Sequence, residues 1–138
     1  MAETIDFSSL DLSYKPKLGK KIDYRIGVIG CGGIVQSSHL PAYRIAGFRV
    51  SGLWNRTVET ARAVAARFDV ANVFSSWQEL INSRDVEVVD ISLPPHLQPE
   101  VAIAAAAAGK HIMIQKPMAV TYGDALRIVA AAREVLQF

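Results

Sequence analysis

The chain has little of what would tie it to several large protein classes. Cys31 is its only cysteine, so neither an internal disulfide nor a cysteine-built zinc site can form, and no metal site is expected. No apolar run approaches the roughly 20 residues of a membrane-spanning helix. The first residues, MAETIDFSSLDLSYKPKLGKK, lack the basic start and apolar block of a secretory signal. Charge of one sign is not in excess: 15 Lys and Arg against 13 Asp and Glu leave a net +2, and only Lys15, Lys17, Lys20 and Lys21 form a loose basic run. That balance gives no basis for a nucleic-acid or anionic-membrane partner. Repeats are absent, and AIAAAAAGK is helix-forming alanine rather than low complexity. What remains is a cytoplasmic globular protein of 138 residues, 51% hydrophobic, long enough for one domain with a buried core.

Residues 1–22 are polar and without period, and read as an arm; residues 23–138 form the expected domain. Tyr24 to Ile29 are apolar and β-branched, the mark of a buried strand. Ile34 to Ala46 follow as a helix that Pro41 must start, kink or split. FRVSGLW alternates as a second strand, and Thr57 is placed to cap a helix running to Phe68. A short third strand is expected at Asn72–Phe74, and Ser76 with Glu79 makes a capping box for a brief helix to Asn82. VEVVDISL reads as a fourth strand, Val101–Ala108 as a helix stopped by Gly109, and HIMIQKPMAV as a fifth strand. Thr121 caps a last helix with Ala125, Ile128, Val129, Ala132, Val135 and Leu136 on one apolar face. Strand and helix alternating five times predict an α/β domain with a doubly wound parallel sheet, Rossmann-like in layout.

The chemistry starts at GVIGCGGIV. Gly30 suits the tight strand-to-helix turn, and Gly32 lets backbone approach a pyrophosphate that the helix N–H groups, from Gly33, Ile34 and Val35 onward, would face. The third glycine of G-x-G-x-x-G would fall at Val35, and Gly33 supplies a flexible neighbour instead. A glycine turn needed for geometry alone is the competing reading. The acid that usually holds the adenosine ribose is missing: Asn55 and Arg56 stand at the end of the second strand. An amide does not repel a 2′-phosphate and a guanidinium can pair with one, which tilts the reading towards NADP; Asn55 on the ribose of NAD, with Arg56 in solvent, is the alternative. His39 on the first helix is either near the cofactor or packed, His96 lies on a rim loop, and His111 starts a strand at the far end. Trp54 and Trp77 read as packing residues, Trp54 being the one near an adenine pocket.

GVIGCGGIVQSSHLPAY, EVVDISLPP and AAAAAGKHIMIQKPMAVT, in that spacing, resemble the N-terminal domain of the Gfo/Idh/MocA oxidoreductases over residues 24–137. The resemblance implies an NAD(P)-dependent enzyme acting on a sugar, polyol or related hydroxyl or carbonyl compound. It implies that Leu93, Pro94 and Pro95 line the cofactor and that Gln98 takes the place of a histidine common in that loop. It further implies that Lys116 and Pro117 belong to a Glu-Lys-Pro signature whose lysine lies near the nicotinamide and the reacting oxygen. Lys116 is thus the candidate catalytic residue, and Gln115 stands where that family has the glutamate.

That family adds a sheet-rich substrate domain, which the chain to Phe138 does not contain, nor does it contain a sixth strand. The last strand is therefore expected to be an open edge that invites pairing with a second copy or with a separate C-terminal half. Two functions remain from the sequence: the cofactor-binding part of an oxidoreductase, and a non-catalytic nucleotide-binding or sensor module. A methyltransferase-like use of the glycine loop is the weaker third, against which the Lys-Pro strand end argues.

Overall fold

The computed structural model describes residues 23–135. The expected arm, with its lysines, and Leu136 lie outside the described residues. Four strands, β1 (Arg25–Ile29), β2 (Arg49–Trp54), β3 (Val88–Ile91) and β4 (His111–Ile114), form one sheet in the order β2-β1-β3-β4, every neighbour parallel. The expected third strand is a correction: Val73 makes a single parallel bridge to Leu53, held by Leu53 N–H to the Asn72 carbonyl at 3.0 Å and Phe74 N–H to the Leu53 carbonyl at 2.9 Å. It sits where a third strand would, beside β2, but is too short to extend the ladder. The alternation therefore holds with four strands rather than five, and the expected fifth strand is β4. Within β2 the register skips Ser51, so that Gly27 faces Gly52.

The helix after the glycine loop is continuous and changes pitch. A π-helical turn at Val35–His39 passes into α1 (Leu40–Ala46), the Leu40 N–H reaching back to the Val35 carbonyl. Pro41 lies inside this continuous helix and has no N–H to return to the turn before it, and it stands where the pitch changes. The other helices are α2 (Val58–Phe68), α3 (Trp77–Asn82), α4 (Gln98–Ala107) and α5 (Tyr122–Val135).

Their ends are set by local chemistry. Thr57 occupies the N-cap of α2, but its hydroxyl makes no capping bond, contrary to expectation. Ser76 Oγ does accept from the Glu79 N–H at 3.0 Å, while the Glu79 carboxylate reaches back to Ser75 rather than to Ser76. Those Ser75 bonds hold its pKa below the usual carboxylate range. Helix α4 starts three residues before the expected Val101, because Pro99 fits the first turn. It ends with Gly109 at φ 71°, where Gly109 N–H bonds the Ala106 carbonyl and Lys110 N–H the Ala105 carbonyl. Lys110 Nζ then caps other carbonyls, those of Ser83 at 2.8 Å and Val86 at 2.7 Å. Thr121 Oγ1 caps α5 by accepting the Asp124 N–H at 3.1 Å.

Strand alternation sends the core to both faces. Ile26, Val28, Leu53 and Val88 pack with Leu40 and Tyr43 of α1 and Ala61, Val64 and Ala65 of α2. Ile29, Val89 and Ile91 pack with Leu80 and Ile81 of α3, Val101, Ala102 and Ala105 of α4, and Ile128 of α5. Each fully buried aliphatic side chain of this kind stabilises the fold by about 1.5–3 kcal/mol. Of the face expected on α5, Ile128 is buried, whereas Val129 is 36% exposed. No helix among the described residues is long and apolar enough to cross a membrane.

The two loop glycines separate cleanly by what surrounds them. Gly30 has φ 97°, and a Cβ there would stand 2.2 Å from the Ser92 carbonyl oxygen; a Cβ at Gly32 would meet nothing within 4 Å. Gly30→Ala is expected to lower unfolding free energy by more than about 2 kcal/mol, and Gly32→Ala by less than about 1 kcal/mol, in urea titrations. Equal losses would show that the close approach does not constrain the fold.

Candidate functional site

All four strands end at one rim, because each is bonded one residue further along. Gly30 N–H donates to the Trp54 carbonyl at 2.8 Å, Ser92 N–H to the Ile29 carbonyl at 2.8 Å, and Gln115 N–H to the Ile91 carbonyl at 2.9 Å. In an open parallel sheet this carboxyl edge is where ligands bind.

A cleft of about 300 Å³ opens on that rim between the β1, β2 and β3 ends. Of the residues singled out in the sequence, it gathers Gly30, Gly32, Asn55, Arg56, Leu93 and Pro94. Gly33 and Ile34 are exposed at the helix start outside it, and Pro95 is half-buried on the loop. Val35 and Gln98 do not face it: both are fully buried, Val35 in the core under α1. Gln115 and Lys116 lie at the end of β4, beyond the cleft, and Lys116 is exposed.

Asn55 holds the loop as well as lining the cleft. Its Oδ1 accepts the Cys31 N–H at 3.1 Å and its Nδ2 donates to the Thr57 carbonyl at 3.1 Å. Gln36 reinforces the same loop, Nε2 donating to the Cys31 carbonyl at 2.8 Å. Arg56 is exposed on the cleft wall, with no ion-pair partner among the described residues. Space left open above Gly32 and Gly33 is the kind of cradle that a phosphate group fills.

At β4 the Lys116–Pro117 bond is cis, and the turn is held from below. Gln98 Nε2 donates to the Gln115 carbonyl at 3.0 Å and to the Pro117 carbonyl at 2.8 Å, while its buried Oε1 has no partner. Behind the turn runs a line of side chains. Asp90 of β3, 1% exposed, accepts at Oδ2 from Tyr43 at 2.8 Å and from His39 Nδ1 at 2.7 Å; His39 Nε2 meets Gln115 Nε2 at 3.1 Å. Burial, with the Asp90 charge, raises the Tyr43 phenol well above its ordinary range. Among the described residues no cluster of three His, Cys, Asp or Glu side chains could hold a metal.

The family model "Oxidoreductase family, NAD-binding Rossmann fold" matches residues 24–136. The chain belongs to the Gfo/Idh/MocA oxidoreductase family. It is 34% identical over 110 residues to a 1,5-anhydro-D-fructose reductase of Ensifer adhaerens, covering 80% of this chain and 33% of that one. A 3-ketoreductase from Actinomadura kijaniata, solved with NADP and TDP-benzene, superposes with a TM-score of 0.77 at 32% identity, over 82% of this chain and 35% of that one. A dehydrogenase from Bordetella pertussis, in complex with NADH and UDP-GlcNAcA, gives 0.77 at 28% identity, over 83% and 34%. The chain thus spans about a third of the length of the relatives it matches.

Within this Gfo/Idh/MocA domain, Trp77 packs on the core as expected, and sequence reasoning missed its place in the cleft, Glu100, and one buried bond. Trp77 and Glu100 join Trp54 in the cleft although they lie on α3 and α4. The bond between His39 and Asp90 joins residues 51 positions apart, and its only sequence signal is a carboxylate inside the apolar run VVDISL.

Cys31 lies between the loop glycines as a buried group, 1% exposed, its Sγ 3.7 Å from the Trp54 carbonyl. Burial pushes the thiol pKa from 9.0 up to about 11. A thiol whose folded value is raised stabilises the fold below its unfolded value, and that contribution is lost as pH rises through the folded one. Stability is therefore expected to decline between pH 9.0 and about 11, and Cys31→Ala should flatten part of that decline in pH-dependent urea titrations. An unchanged slope in the variant would remove Cys31 from the cause.

Proposed function

We propose that this chain is the NAD(P)-binding part of an oxidoreductase that moves hydride between a nicotinamide and a sugar, polyol or related hydroxyl or carbonyl substrate. One observation carries the reading: the glycine loop opens into the rim cleft, and no Cβ crowds Gly32 or Gly33. Family membership and the sugar-directed relatives point the same way. Loop N–H groups with Gly32 would take the pyrophosphate, and Trp54, Leu93, Pro94 and Trp77 give apolar walls for an adenosine. The bound dinucleotide would supply the hydride acceptor or donor.

Lys116 would act at the reacting oxygen. Its ammonium has no ion-pair partner among the described residues, so it is free to donate to an alkoxide as charge develops there. Domain boundaries at residues 23–138, a cytoplasmic location and a requirement for a substrate-binding half, whether in the same polypeptide, a second copy or a separate chain, belong to this proposal. Arg56 on the cleft wall favours NADP through a guanidinium–phosphate pair. Glu100 on the same cleft favours the second reading, NAD, since a carboxylate accepts from ribose hydroxyls and repels a 2′-phosphate.

Fluorescence titration with NADPH and NADH separates these. Arg56→Ala is expected to weaken NADPH about tenfold and leave NADH within about twofold. Gly32→Val should abolish both, because the side chain fills the phosphate cradle. Equal weakening of both nucleotides by Arg56→Ala would remove the NADP preference, and a wild-type chain that binds neither would sink the dinucleotide reading.

A further inference from the structure

The line from Asp90 to Lys116 has a defined hydrogen-bond direction. The Lys116 backbone N–H can only donate, and it bonds Gln115 Oε1 at 2.8 Å. The two hydrogens of Gln115 Nε2 therefore face away from Lys116, and Nε2 is 3.1 Å from His39 Nε2. That ring nitrogen must accept. The ring proton then sits on Nδ1, donated to Asp90 Oδ2 at 2.7 Å, and Tyr43 donates to the same oxygen at 2.8 Å. One buried carboxylate thus fixes the His39 tautomer, and the tautomer fixes the Gln115 amide.

We propose that Gln115 is a positioning residue for Lys116: its amide, locked between the Asp90-oriented His39 ring and the Lys116 N–H, sets how the lysine is presented at the rim while adding no charge beside it. This rests on the reading of Lys116 as the group at the reacting oxygen. A glutamate at position 115 works differently. A carboxylate only accepts, so it keeps the Lys116 N–H bond but requires a proton on His39 Nε2, and it sets an anion next to the lysine. Gln115 leaves Lys116 as an ammonium without a countercharge, the form best able to answer negative charge on a substrate oxygen.

The test uses the full chain labelled with 15N. Long-range imidazole spectra report the His39 tautomer, with His39→Gln identifying its signals among the three histidines. Backbone amide exchange reports the Lys116 N–H, and NADPH and NADH titrations run on the same samples. Wild type is expected to show a protonated Nδ1 and a bare Nε2 on His39. Gln115→Glu should put a proton on Nε2 and keep Lys116 exchange within about twofold of wild type; Gln115→Leu should speed that exchange about tenfold. A protonated Nε2 in wild type, or unchanged Lys116 exchange in Gln115→Leu, overturns the proposal even if NADPH binds. The expected tautomer and exchange pattern in a chain that binds neither NADPH nor NADH upholds the amide's orientation and overturns the dinucleotide reading on which its use depends.

Discussion

At position 30 there is no room for a β carbon. The Ser92 carbonyl comes so close that only glycine, at φ 97°, lets β1 turn into its helix beside the end of β3. That approach fixes the rim. Gly30 N–H reaches sideways to β2, Ser92 N–H reaches back to β1, and Gln115 N–H carries the same ladder to β4. A bulkier residue would part the β1 and β3 ends, and both the cleft and the Lys116 turn would lose their common frame. The glycine fingerprint is usually read as a phosphate signal. Here its first glycine serves the sheet, and the open space falls to the next two.

The second constraint is electrostatic. Asp90 points from β3 towards α1, where every neighbouring strand position is apolar, and a buried carboxylate without partners would cost several kcal/mol. Tyr43 and His39 both donate to it. They sit four residues apart, on one face of the helix that passes from the π-helical turn into α1. His39 closes the π-helical turn and Tyr43 follows in α1, on either side of Pro41.

Much of this was legible in the sequence, and the losses have local causes. Runs such as RIGVI and VVDI show their strands because β-branched residues fill both faces, and Gly109 shows the end of α4 because only a residue tolerant of positive φ closes that turn. Asn72–Phe74 has strand-like residues, yet its pairing reduces to one bridge, which no composition of three residues decides. The start of α4 was hidden because the alanine run outweighs Gln98 and Pro99, although Pro99 is the better boundary marker. Loop residues were legible by type but not by direction. Val35 and Gln98 fall at fingerprint positions and still turn inward, since a side chain's facing depends on where the helix has wound by then. Trp77, Glu100 and the His39–Asp90 bond depend on contacts between distant elements, for which local spacing carries no signal.

Gln98 and Gln115 prove to be neighbours under one turn. Gln98 gives both hydrogens of its Nε2 to the Gln115 and Pro117 carbonyls, on either side of Lys116. A neutral imidazole at that position carries a single N–H and could satisfy one of those carbonyls, leaving the other bare. Gln115 takes the Lys116 N–H from above and binds His39 with its own hydrogens. Two amides therefore support one turn, each using donor capacity that an imidazole or a carboxylate lacks. Because Gln98 grips the backbone of Gln115 while the Gln115 side chain answers to His39, a histidine at position 98 would leave one carbonyl bare, and a glutamate at position 115 would demand a proton on the His39 ring nitrogen. Both supporting side chains are neutral, so they hold the turn without placing a charge beside Lys116.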